Sequence, residues 1–236
     1  MNKLSFEYGA TTNAPIPDPA SYRELNLPPL LRPWLVPGQL TGLYSLVACR
    51  TVVSQQAFYT LHQLASQCLH LPGEFWECGV YLGGTAEFVA LLMANHPETE
   101  LKPIRLFDTF EGMPETSADH DWHQQGDFKH DAWEYVSKTL THYPNVSLHK
   151  GFIPTTFKGL ENSKIAFLHC DVDIYRSILD TLDFCYSRMV CGGIILFDDY
   201  GHESCPGARE AVDLFFAERP EEPIVLASGQ AFVVKL

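Results

Sequence analysis

From residue 74 onward, short apolar runs alternate with segments of helical periodicity. "EFWECGV" (74–80), "IRLFDTF" (104–110), "NVSLHKGF" (145–152), "KIAFLHCDV" (164–172) and "GGIILFDD" (192–199) read as strands. "GTAEFVALLMANH" (84–96), "AWEYVSKTLTHY" (132–143), "YRSILDTLDFCYSRM" (175–189) and "GAREAVDLFFAER" (207–219) read as helices. This alternation predicts a mostly parallel, doubly wound α/β sheet with helices on both faces. Two last short strands, 223–228 and 230–236, are parted only by Gly229 and must run antiparallel. Ligands of such sheets bind beyond the carboxyl ends of the strands, near the point where the strand order reverses.

Those ends are acidic here. Asp171 and Asp173 close one run, and Asp198 and Asp199 close another. If the two strands are neighbours, four negative charges crowd one edge of the sheet. Two like charges about 4 Å apart repel by about 4 kcal/mol at an effective dielectric of about 20. The arrangement therefore calls for a positive partner. A hard divalent cation such as Mg²⁺, bound through carboxylate oxygens, waters and substrate oxygens, meets that need.

The first strand opens into "ECGVYLGGTAEF", where Gly79, Gly83 and Gly84 permit a tight turn and close ligand approach before a helix N-terminus. The dinucleotide fingerprint GxGxxG is absent, because Tyr81 stands in place of its second glycine, which lets backbone approach a pyrophosphate. The expected cofactor has no pyrophosphate. Asp108, 29 residues past Gly79 and at the end of the second strand, is placed to bind a ribose diol; its alternative role is to cap the following turn. S-adenosylmethionine satisfies both features, with its carboxylate-bearing end at the glycine loop and its ribose at Asp108. Cofactor contacts are expected from Glu77, Gly79, Val80, Tyr81, Gly83, Thr85, Asp108, Phe128 and Asp171.

At 236 residues, 46% hydrophobic and 19% charged, the chain has the composition of a folded globule with a substantial core. Its formal net charge of −13 weighs against nucleic acid or an anionic membrane surface as partner. No apolar signal segment opens the sequence and no run is long enough to span a bilayer, so a cytoplasmic location is expected. The seven cysteines make no CxxC pair and several sit in apolar runs, which reads as buried, reduced thiols. The ten histidines form no HExxH pair. Seven of the sixteen prolines precede residue 38, which predicts an irregular arm. With a helix over 51–69, that arm makes residues 1–73 an extension packed on the core or on a partner subunit, ahead of a cofactor-binding domain over 74–236.

"ECGVYLGGTA", "LFDTFEGMP", "GDF", "HCDVDIYRS", "GGIILFDDYG" and "PGAREAVDLF" resemble, in order and spacing, the macrocin O-methyltransferase (TylF-type) family. The resemblance spans residues 74–219 and extends to the tail "SGQAFVVK". "GFIPTTF" (151–157) departs from a family stretch closer to GWFPDT, and the arm matches little. The resemblance implies a class I methyltransferase domain over 74–236. Such a domain uses S-adenosylmethionine and Mg²⁺ to methylate a hydroxyl of a sugar or related natural product, releasing S-adenosylhomocysteine. It implies Asp171, Asp198 and Asp199 as metal ligands and Asp173 as general base, with support of the metal from outside its ligand set as the alternative role of Asp173. The expected partners are a small hydroxylated acceptor and further copies of the chain in a homo-oligomer.

At the end of the polar loop that starts at 111, "SADHDWHQQGDF" (117–128) is long enough to act as a lid, with Trp122 or Phe128 against adenine. His202 is a candidate for acceptor binding or proton transfer, and Arg209 for orienting the acidic pair. Competing readings explain less. A nucleotide-sugar glycosyltransferase holding a metal through "DVD" leaves the glycine loop and Asp108 unexplained. A phosphatase of the haloacid dehalogenase type needs its DxD on the first strand, whereas this one ends the fourth. A non-catalytic module has no need of four clustered acids, and a metal-free methyltransferase would turn them toward a substrate amine.

Overall fold

A computed structural model describes residues 32–96 and 101–236. The arm expected before residue 38 lies, up to residue 31, outside the described residues. Pro33–Leu236 form one compact unit. Its elements, in chain order, are helices α1 (Gln39–Val47) and α2 (Gln55–Cys68), strand β1 (Glu74–Cys78), helix α3 (Gly84–Ala94) and strand β2 (Ile104–Asp108). Helix α4 (Trp133–Leu140), strands β3 (Val146–Lys150) and β4 (Ile165–Cys170), helix α5 (Tyr175–Cys185) and strand β5 (Met189–Phe197) follow. Helix α6 (Pro206–Phe216) and strands β6 (Ile224–Val225) and β7 (Ala231–Val234) complete the unit.

The seven strands form one sheet in the order β3-β2-β1-β4-β5-β7-β6. The first five run parallel, β7 is antiparallel to β5, and β6 is antiparallel to β7. The doubly wound sheet read from the sequence is the sheet observed, including its antiparallel end. Strand order reverses between β1 and β4, which puts the expected ligand crevice at their carboxyl ends.

Alternation along each strand divides the core into two layers. Phe75, Leu106, Phe167 and Leu196 face helices α1 to α4, whose buried residues include Leu43, Phe58, Leu61, Phe88 and Val136. Trp76, Phe107, Leu168 and Phe197 face α5 and α6, which contribute Ile178, Leu182, Val212 and Phe215. Each such side chain contributes about 1.5–3 kcal/mol through burial. β4 is buried along its whole length, as a central strand covered on both faces must be. Helix α2 starts where Ser54 Oγ accepts from the Ala57 N–H at 3.2 Å, and Pro206 opens the first turn of α6.

Two local differences have physical causes. α1 lies outside the strand–helix alternation, although Leu40, Leu43, Tyr44 and Val47 recur at helical spacing. The Gly192-Gly193 pair looked like a strand start, but β5 begins at Met189 and the glycines sit in an irregularity opposite Ile165 and Phe167 of β4. A side chain at Gly193 would lie 2.8 Å from the Val190 carbonyl oxygen, so the bulge admits only glycine.

Candidate active site

The carboxyl ends of β1, β2, β4 and β5 open into a cavity of about 410 Å³. Gly79, Tyr81, Asp108, Asp171, Asp173, Asp198 and Asp199 all line it. The close approach expected of the glycine loop is used first by the protein itself. Gly79 has φ +90°, and a Cβ there would lie 1.6 Å from the Asp171 carbonyl oxygen. This contact locks the end of β1 against the end of β4. The Asp171 N–H donates to the Cys78 carbonyl at 2.8 Å, and the Gly79 N–H to that of Phe107 at 2.9 Å.

Asp108 ties the second strand end to the same loop. Its Oδ2 accepts from the N–H groups of Val80 at 2.7 Å and Tyr81 at 2.9 Å, and its Oδ1 from Phe110 at 2.7 Å. The turn-capping role is therefore present. Each carboxylate oxygen accepts about two hydrogen bonds, so Oδ1 keeps capacity for a ligand hydroxyl. Among the described residues, the non-glycine positions with positive φ are Tyr81, Phe110, Phe128 and Asp173, and all four line the cavity. Such backbone costs of order 1–3 kcal/mol per residue and gathers where a site over-determines it.

The other expected cofactor contacts lie behind this wall. Val80, Gly83 and Thr85 are buried in the loop and at the start of α3, outside the cavity lining. Gly83 makes room for Leu140 and Val136 of α4. Glu77 is also buried away from the cavity, with its Oε1 3.0 Å from His169 Nδ1. Phe128 lines the cavity and packs edge-on to Tyr81 at 6.1 Å, while Trp122 points outward, 66% exposed. His202 is in the lining, and Arg209 is exposed on α6.

Loop 111–127 carries no regular helix or strand, as expected, and is anchored across the site. Asp121 is buried, with Oδ1 accepting from the Tyr175 N–H at 2.8 Å and Oδ2 from that of Ser117 at 3.0 Å. His120 stacks on Tyr175 at 4.0 Å.

Asp171, Asp198 and Asp199 each offer an oxygen, the three lying within 4.8 Å of one another. Burial, then the charge of Asp198, pushes Asp171 well above the usual carboxylate range; burial, then Asp173 and Asp171, does the same to Asp199. Burial works to raise Asp198 too, but its hydrogen bond to His169 holds it below its ordinary value. Three crowded, desolvated carboxylates with only oxygen donors fit a hard divalent cation, which would favour the ionised state of Asp171 and Asp199, the two pushed up. Asp173 lies beside them, its N–H donating to Asp199 Oδ2 at 3.1 Å. Burial pushes its carboxyl up to about 6, against the pull of nearby His123.

The sequence reading missed what stands behind Asp198. His169 Nε2 lies 3.4 Å from Asp198 Oδ1, which also accepts from Gln230 Nε2 at 2.7 Å. Glu77, His169, Asp198 and Gln230 thus form a buried polar row from β1 through β4 and β5 to the start of β7. Burial would lower His169, but hydrogen bonds to Asp198 and Glu77 push it well above its ordinary value, which favours the charged form of the ring between the two acidic side chains. A histidine inside the otherwise apolar "IAFLHC" was the legible sign.

Known proteins share this architecture. An 8-demethyl-8-(2,3-dimethoxy-alpha-L-rhamnosyl)-tetracenomycin-C 4'-O-methyltransferase of Streptomyces olivaceus is 29% identical over 153 residues, covering 60% of this chain and 57% of its own length. The demethyldecarbamoylnovobiocin O-methyltransferase of Streptomyces niveus is 28% identical over 160 residues, covering 63% of this chain and 60% of its own. The chain thus spans less than two thirds of either curated relative. The solved structure of the O-methyltransferase NovP superposes with a TM-score of 0.68 at 22% identity, over 78% of this chain and 83% of that one, a likeness of fold. The Macrocin-O-methyltransferase (TylF) family pattern runs from residue 46 to 225, through the glycine loop, Asp108 and all four clustered aspartates, and the chain belongs to that family.

Proposed function

We propose that the chain is an S-adenosylmethionine- and Mg²⁺-dependent O-methyltransferase acting on a hydroxyl of a sugar-bearing natural product. One observation carries the reading. The glycine loop, Asp108, the Asp171–Asp198–Asp199 triad and Asp173 all face a single cavity. Membership of the family and the rhamnosyl-bearing name of the Streptomyces olivaceus relative support a sugar hydroxyl as acceptor. Five aspartates in the lining favour a cationic sulfonium donor and a divalent ion over the anionic donor of a glycosyltransferase.

When bound, S-adenosylmethionine supplies an activated methyl group, and Mg²⁺ supplies positive charge that neutralises Asp171, Asp198 and Asp199 and acidifies a nearby hydroxyl. The protein's own residues do the rest. Asp108 orients the ribose and the glycine loop the carboxylate-bearing end, with Phe128 and Tyr81 as an aromatic wall. Asp173 accepts the acceptor's hydroxyl proton as the new oxygen–carbon bond forms, a contribution of about 10²- to 10⁴-fold. Its left-handed backbone aims the carboxylate beside the triad without making it part of it.

The test is calorimetric titration with S-adenosylhomocysteine and then Mg²⁺, paired with methyl transfer to a panel of glycosylated acceptors. Asp198→Asn should lose Mg²⁺ affinity while still binding S-adenosylhomocysteine. Asp173→Asn should keep both affinities and lose turnover by at least about 10²-fold. Absence of S-adenosylhomocysteine binding would overturn the methyltransferase reading, and turnover of Asp173→Asn within a few-fold of wild type would place the base elsewhere.

A further inference from the structure

We propose that His123, Asp173 and Cys205 form a second cation site, selective for a soft divalent ion such as Zn²⁺, beside the aspartate triad. The three residues come from the lid loop, the β4–α5 connection and the N-cap of α6, and each offers one ligand atom within 4.8 Å of the others. Cys205 Sγ lies 3.6 Å from His123 Nε2 and 3.7 Å from Asp173 Oδ1. A tetrahedral ion with bonds of about 2.3 Å to sulfur and about 2.1 Å to nitrogen and oxygen separates such ligand atoms by about 3.6 Å. Two of the three separations match those of ligands around an ion; without one, they are hydrogen bonds between the Cys205 thiol and His123 and Asp173.

The surroundings agree. The far ring nitrogen of His123, Nδ1, lies 3.1 Å from Asp127 Oδ2, the carboxylate–histidine arrangement that fixes a ligand ring from behind. All three ligands line the cavity, which provides an entry path and leaves a fourth position for water. A sulfur, nitrogen and oxygen set suits Zn²⁺, whereas the all-oxygen triad suits Mg²⁺, so the two sites sort ions by softness. A cysteine thiol is ordinarily protonated at neutral pH, and burial, then Asp199 and Asp173, pushes Cys205 further up. Binding therefore exchanges a proton for the ion: the S–H bond breaks, a sulfur–metal bond forms, and one proton leaves to solvent. An ion held there occupies Asp173. Inhibition of methyl transfer by Zn²⁺ in excess Mg²⁺ follows if Asp173 is the base; that consequence and the sorting of ions between the two sites rest on the proposed function.

The probe is Co²⁺ added to the metal-stripped full chain in excess Mg²⁺, followed by ultraviolet and visible absorption and by displacement with Zn²⁺. The expected result is an intense thiolate-to-cobalt band at one ion per chain, removed by Zn²⁺ and accompanied by release of one proton. Cys205→Ser should abolish the band, Asp198→Asn should retain it, and Asp127→Asn should weaken the ion's affinity about 10- to 100-fold. His123→Ala serves as the second ligand variant should Cys205→Ser fail to fold. A band that survives in Cys205→Ser or His123→Ala, or that disappears in Asp198→Asn, would overturn the site. These readouts need no turnover, so they stand whether or not methyl transfer is found.

Discussion

The buried row behind the triad makes His169→Leu a demanding test of how the site is held. The His169 side chain is 2% exposed and lies between Glu77 at 3.0 Å and Asp198 at 3.4 Å. Glu77 is already short of partners, because its buried Oε2 has none. Removing the ring leaves Glu77 with neither oxygen paired and strips Asp198 Oδ1 down to the Gln230 amide. Breaking a buried ion pair from one side costs about 3–5 kcal/mol. In a chain of this size each kcal/mol moves the midpoint by about 2–4 °C, so Tm should fall by about 6–20 °C. Thermal and urea unfolding at pH 7, followed by circular dichroism, measure this directly. The double variant Glu77→Leu/His169→Leu separates a lost pair from a lost shape. It removes the stranded Glu77 carboxylate and should recover much of the stability. A single variant within 1 kcal/mol of wild type, or a double variant no better than the single, would refute an imidazolium that bridges the strands.

Two further expectations probe other joints of the structure. Gly79→Ala would drive a Cβ into the Asp171 carbonyl oxygen, 1.6 Å away, at a φ of +90° that side chains avoid; it should cost more than about 3 kcal/mol. Urea unfolding checks it, and a loss below 1 kcal/mol would mean that the β1–β4 lock yields easily. Against the cost of burial, Lys235 at 2.5 Å and Tyr186 at 2.8 Å hold the Glu221 carboxyl down to about 2 from an ordinary 4.5. Because the folded value is the lower one, this stabilisation is present above pH 4.5 and is lost as pH falls through about 2. Glu221→Gln should therefore cost about 2–3 kcal/mol at pH 7 and nearly nothing at pH 2. Equal losses at both pH values in urea titrations would show that the charge is not the cause.

The divide between what the sequence disclosed and what it hid follows from strand order. In a parallel sheet every strand ends at the same edge, so Asp171, Asp173, Asp198 and Asp199 converge whichever strands are neighbours, and the triad could be read from the ends of two apolar runs. The same holds for Asp108 and the glycine loop. Glu77 and His169 are different, because their pairing needs β1 beside β4 in one register, and no local pattern states that. Glu77, at the end of the first strand run, therefore reads as a cofactor contact, whereas the register sets it beside His169, behind the Asp198 that lines the cavity. His123 and Cys205, 82 residues apart, meet only because the loop 111–127 crosses to the start of α6, with Asp121 beside Gly207. Clustered carboxylates at strand ends are thus written locally, while the groups that hold and tune them are written in the order of the strands and the path of one loop. This is why substitutions at His169 and Asp127, rather than at the aspartates alone, discriminate between a cluster of acids and a built site.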